Sequence, residues 1–166
     1  MLEYLVKRFY LRARRALRRE QNRTLPFGDY VSDRAEKARY LGFGKGSTIY
    51  DGSLVFGHVR VGRDVWVGPF TVLDGSGGLL KIGDHCHVSA GAQIYTRDIT
   101  GHVVHGAPVE QAAVQIGRRC FIGPNVVITK GVTVGDNVVI EANSLVTGDV
   151  GDGCRVSGSP ARPVDG

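Results

Sequence analysis

Histidine is the side chain that gains and loses a proton near neutral pH, and this chain has five. Two of them, His102 and His105, share one stretch, 95–115, with Tyr95, Arg97, Asp98 and Glu110. The stretch offers imidazoles, carboxylates and a guanidinium. The guanidinium stays charged and cannot serve as a base. Ionisable groups on a loop carried by a rigid scaffold point to function; the same groups on a solvated loop are incidental. The residues alone leave both readings open.

What must position this loop is a period of six. Ile49, Val55, Val61, Val67 and Leu73 lie six apart. A nine-residue step leads to Ile82, Val88 and Ile94, and a 22-residue step to Ile116, Ile122, Ile128, Val134, Ile140 and Val146. Fourteen units result, in three blocks. Four residues after the aliphatic stands a small or β-branched residue, as at Ser53, Val65, Thr71, Cys86, Ala92, Cys120, Val126 and Val138. A helix turning every 3.6 residues cannot keep such a stripe on one face. A coil of three short strands can, with the aliphatic inward on each side and eighteen residues per turn. Fourteen units predict somewhat under five coils. Asn125, Asp136 and Asn137 suit corners that need positive φ.

Breaks in the period mark excursions. Asp74–Leu79 (Asp-Gly-Ser-Gly-Gly-Leu) adds three residues and reads as a corner bulge. A phosphate loop would need a helix after it, whereas Ile82 restarts the strand period. The second break, 95–115, is the long extruded loop that holds the ionisable cluster. His85-Cys86-His87 tempts a metal reading, since His and Cys are common ligands. Cys86 takes the inward position, however, so its neighbours point away from it, and no metal is expected.

Composition supports this body and narrows its function. Of 24 glycines, 23 follow residue 41, which argues against a helical bundle. The net charge of +5 is local: residues 1–25 carry +6 and the rest −1. A nucleic-acid-binding body is therefore not expected, and an anionic partner should meet the N-terminus. No run approaches the ~20 apolar residues of a membrane span, and no signal-peptide pattern is present. Three widely spaced cysteines without a C-x-x-C fit small core residues in a reduced, cytoplasmic setting.

Residues 1–20 read as an amphipathic helix, with Leu2, Leu5, Val6, Phe9, Tyr10, Ala13, Ala16 and Leu17 in a stripe among Arg and Lys. Packing of that stripe on the body or a neighbouring subunit is the simpler reading. A peripheral, in-plane helix on the inner face of an anionic membrane is the other. Residues 21–45 form a connection with a short helix around 32–40. The division is thus 1–45 for the basic helix and connection, and 46–166 for the repeat body with its closing segment.

The segment VTVGDNVVIEANSLVTGDVGDGCRVSGSPAR (132–162) resembles the C-terminal signature of hexapeptide-repeat acyltransferases. LDGSGGLLKIGD and the IYT at 94–96 resemble the polysaccharide and O-antigen O-acetyltransferase branch. The resemblance spans about residues 35–162. It implies a mainly β fold, a left-handed parallel β-helix, in a homotrimer with active sites between subunits. The hand comes from the resemblance alone, because parallel crossovers are otherwise right-handed. Acetyl-CoA would be the co-substrate and a hydroxyl of a sugar or glycan precursor the acceptor. Pro124, Ala142, Thr147 and Arg162 match positions lining the CoA channel. Gly148 stands where many relatives carry Lys.

The resemblance also implies a His base just after IYT, often within Thr-His-Asp. This chain reads Thr96-Arg97-Asp98. Either the base has moved along the loop to His102, or else His105, or the usual mechanism is lost. Asp98 would orient an imidazole, and Arg97 and Tyr95 would meet substrate. An N-acetyltransferase of an amino nucleotide sugar and a catalytically impaired scaffold are the competing readings. A γ-type carbonic anhydrase would need three zinc-binding His, and the units from Ile116 to Val150 contain none.

Overall fold

The six-residue aliphatics close a three-sided prism. The computed structural model describes residues 1–164. Thirteen of the fourteen aliphatics are buried, and Val55 in the first coil is half-buried. On the first face, Thr48–Ile49, Trp66–Val67, His87–Val88, Phe121–Ile122, Val139–Ile140 and Arg155–Gly158 stack in parallel. The second face stacks Gln93–Tyr95, Val127–Ile128 and Leu145–Val146 beyond the opening halves of Leu54–Val61 and Val72–Ile82. The closing halves of those two strands turn the corner onto the third face, followed by Val114–Ile116, Thr133–Val134 and a bridge to Val150.

Each inward aliphatic therefore sits on its counterpart one coil away, as Ile94, Ile128 and Val146 do. Burial of an aliphatic side chain contributes about 1.5–3 kcal/mol, and the stack repeats that gain in each coil. The prism is longer than the aliphatic count predicts. Phe43, six before Ile49, is buried, and the Gly44 N–H already donates to the Val61 carbonyl. At the other end the last coil is shortened, so Ile140 pairs with Val156. Ala161–Pro163 then folds back antiparallel on Arg155–Gly158 and closes the end.

Corner conformations follow the sequence in part. Asn125 and Asn137 have φ of 55° and 58°. Asp136 does not; its carboxylate accepts the Arg118 backbone N–H at 2.7 Å and pairs with the Arg118 guanidinium. The left-handed positions stacked on Asn137 are Asp64, His85 and Arg119.

At the N-terminus α1 (Leu2–Gln21) is the expected amphipathic helix, ended by Asn22 in the left-handed region. No residue of α1 is buried: Leu2, Leu5, Val6 and Phe9 are exposed, and Tyr10, Ala13, Ala16 and Leu17 are half-buried. The Tyr10 ring packs edge-on to Phe27 and Tyr30 at α2 (Gly28–Val31). The short helix α3 (Arg34–Tyr40) is capped by Asp33, whose carboxylate accepts the Ala35 and Glu36 N–H groups at 2.8 Å. It covers the open end of the prism. Ala38 is buried there, and the Lys37 ammonium donates to the carbonyls of Tyr50, Asp51 and Ser53.

Candidate active site

Both breaks in the period fall at the corner between the second and third faces, in consecutive coils. The first is a bulge inside the strand Val72–Ile82, not an open loop. Its glycines let three backbones nest. A Cβ on Gly75 would lie 2.2 Å from the His58 carbonyl oxygen, and one on Gly77 2.4 Å from that of Thr96. The buried Thr96 hydroxyl donates to the Asp74 carbonyl and accepts the Gly77 N–H. This glycine run thus serves packing beneath the long loop.

That loop is tighter than 95–115, because Tyr95 is still in strand and Val114–Ile116 has already rejoined the third face. Arg97–Asp98 pairs antiparallel with Glu110–Gln111 as a two-stranded stem. The stem carries α4 (Thr100–His105), which ends at Gly106 in the left-handed region. The next coil holds the stem in place: the Lys130 ammonium lies 2.8 Å from Glu110 Oε2 and 3.9 Å from Asp98 Oδ2. The Glu110 carboxylate pushes the Lys130 pKa up. The Thr100 backbone N–H and hydroxyl, with Lys130, hold the Asp98 carboxyl below the usual carboxylate range.

On α4, His102 Nδ1 lies 2.9 Å from the Ala107 carbonyl oxygen. A carbonyl only accepts, so in the neutral ring this bond places the proton on Nδ1 and leaves the lone pair on Nε2. His105 is exposed on the same helix. Asp98 is not beside either imidazole. Its carboxylate accepts the Thr100 N–H at 2.8 Å, so the group that orients His102 is a backbone carbonyl. Arg97 Nε lies 3.6 Å from Oδ2 of the nearly buried Asp74, so its guanidinium already faces a counter-charge. The Tyr95 hydroxyl donates to Gln93 Oε1 at 2.8 Å. Sequence reasoning missed Lys130 and the Ala107 carbonyl. The only available sign of Lys130 was a basic residue at the corner one coil past the insertion.

The four residues matched to a CoA channel fall into two groups. Pro124 and Ala142 are exposed and stack at the corner between the first and second faces, where the Asn143 N–H donates to the Pro124 carbonyl at 2.8 Å. Thr147 lies at the loop's own corner, two coils on. With Arg162, Asp149 and Cys154 it lines a cavity of about 240 Å³ at the closing end. The two groups therefore sit on different corners of one prism.

The remaining histidines lie on the outer faces. His87 stacks between Trp66 (4.3 Å) and Phe121 (5.3 Å), and burial lowers its pKa. His85 faces Asp64 at 3.6 Å. Cys86 points inward and donates to the Gly117 carbonyl; the neighbouring Cys120 thiol and burial push its pKa up. Among the described residues no three His, Cys, Asp or Glu side chains gather as a metal set.

Residues 113–148 match the family described as bacterial transferase hexapeptide (six repeats). Galactoside O-acetyltransferase of Escherichia coli K12 is 32% identical over 113 residues, which are 64% of this chain and 53% of that protein. The chain thus spans about half the length of this curated relative. A maltose O-acetyltransferase from Clostridium difficile 630 superposes with a TM-score of 0.62 at 26% identity, over 96% of this chain and 87% of that one. A galactoside acetyltransferase in complex with coenzyme A superposes with a TM-score of 0.70 at 23% identity, over 96% and 81% of the two chains. These likenesses give the coil its hand, the left-handed β-helix of hexapeptide-repeat proteins.

Proposed function

From a chain that carries the hexapeptide repeat of bacterial transferases, we propose an acetyl-CoA-dependent O-acetyltransferase acting on a hydroxyl of a sugar or glycan precursor. The active site lies between subunits of a homotrimer, in the cytoplasm. The observation that carries this reading is the extruded stem with α4, fixed by Lys130 and presenting His102 with its Nδ1 bonded to Ala107. The split of Pro124 and Ala142 from Thr147 and Arg162 supports the trimer. A groove between neighbouring prisms would offer one ligand a corner from each.

The chemistry asks for little. His102 Nε2 takes the proton of the acceptor hydroxyl as its oxygen attacks the thioester carbonyl carbon. The carbon–sulfur bond then breaks, and the proton passes to the departing CoA sulfur. Backbone N–H groups at the coil corners stabilise the transient oxyanion. Asp98 acts as a clamp for the loop through Thr100 and Lys130. Arg97, with Tyr95 beside it, faces the acceptor, and its pairing with Asp74 fixes its direction. His105 on the same helix is the fallback base.

Thiol release from acetyl-CoA, followed across hydroxyl and amino sugars, tests the assignment and separates O- from N-transfer. His102→Ala should lower kcat at least about 100-fold, as loss of a general base does. Unchanged turnover in that variant removes His102 from the mechanism. Sedimentation equilibrium should return three times the chain mass. The Arg97–Asp74 pair at the family's base position favours a second reading, a scaffold without chemistry. Absence of thiol release with every acceptor in the unmodified chain would establish that reading instead.

A further inference from the structure

α1 is the largest feature that neither the prism nor the proposed site uses. It is 20 residues long, and the structure buries none of them. At 100° per residue Leu2, Leu5, Val6, Phe9, Ala13 and Ala16 share one face. Leu2 is 75% exposed, Leu5 55%, Val6 43% and Phe9 49%. Arg12 and Arg19 border this stripe on one side, Leu17 and Tyr10 extend it on the other, and Lys7, Arg8, Arg14, Arg15 and Arg18 spread over the rest of the surface. Only two acidic residues, Glu3 and Glu20, lie among residues 1–25, which carry +6. No helix of the described chain is long and apolar enough to cross a membrane.

We infer that α1 is an in-plane anchor for an anionic phospholipid surface. A stripe of Leu, Val and Phe enters the acyl boundary, and the flanking cations lie at the depth of the headgroup phosphates, which they pair. Charge complementarity selects this occupant over a second copy of the chain. Residues 1–25 carry +6 and the rest of the molecule −1, so another copy brings little net charge to match eight basic groups, and two such helices side by side repel. The N-terminal half of the stripe, Leu2 to Phe9, is exposed, whereas Tyr10, Ala13, Ala16 and Leu17 are half-buried, Tyr10 against Phe27 and Tyr30. The inference is independent of the proposed catalysis. With both in place, the acceptor pocket would work beside a membrane, which suits a lipid-linked glycan.

The test uses the full chain and sedimentation with vesicles of phosphatidylcholine plus phosphatidylglycerol, against vesicles of phosphatidylcholine alone. Binding to the anionic vesicles should be at least about tenfold tighter and should weaken as salt is raised. The pair Leu5→Glu with Phe9→Glu should abolish it, and Arg12→Glu with Arg15→Glu should weaken it about tenfold or more. Both variants should keep the melting temperature and oligomeric state of the parent, because Leu5, Phe9, Arg12 and Arg15 are all exposed. Equal affinity for both vesicles, or none for either, overturns the inference. So does a change of oligomeric state in Leu5→Glu/Phe9→Glu with vesicle binding intact, which would assign the stripe to a second copy.

Discussion

His87 shows how one residue on a repetitive scaffold acquires a property its sequence position does not announce. It sits between Trp66 and Phe121 with interplanar angles of 16° and 19°, and burial disfavours its charged form. Its folded pKa is lower than the ~6.5 of an unfolded imidazole. Above that value the ring is neutral in both states, and its contribution to stability is whole. As pH falls through it, the unfolded chain takes the proton first, and stability is lost until the folded value is passed. Replacing His87 with Phe removes this loss and keeps the stack. The melting temperature of His87→Phe relative to the parent should therefore rise as pH is lowered from about 8 to about 5. A constant difference across that range would mean the stack does not disfavour the proton.

The loop element depends on a partner one coil away. Lys130 joins Glu110 and Asp98, the two ends of the stem that carries α4. Its pKa is raised, so its charge persists through the usual lysine range and is lost only as pH rises through the higher value. Asp98 is lowered, so its charge is lost only as pH falls below the usual carboxylate range. Lys130 and Asp98 therefore both stay charged across neutral pH, and their pairing does not switch there. Lys130→Met should speed amide exchange in 98–111 by about twofold to fivefold, the scale of a partly exposed ion pair. Turnover should fall with it while the β-helix amides stay unchanged. Uniform acceleration over all coils would place Lys130 in the general stability of the prism instead.

For the whole molecule, a stack of coils distributes stability through nearest neighbours. Ile128 in a central coil lies between Ile94 and Val146 with no exposed surface. Ile128→Ala should cost about 2–5 kcal/mol in urea unfolding, by lost transfer energy plus the cavity left behind. Val55→Ala in the half-buried first coil should cost clearly less. Equal costs would argue that the coils melt as independent units, or that the first coil is covered in the assembled protein.

The amino-acid order by itself determined which side chains face inward. Six residues make one side of the coil, so the direction of each side chain is decided within its own unit. The same local logic made α1 legible, and it marked both insertions as departures from the prism. Where those insertions meet was left to the tertiary structure. Stacking brings residues a full coil apart into contact, and each insertion changes the count between them. Hence Gly77 finds Thr96, Lys130 finds Glu110, and Asp98 turns toward Thr100 instead of an imidazole. The backbone carbonyl that orients His102 was equally out of reach, because every residue carries one and only the fold of the loop selects Ala107.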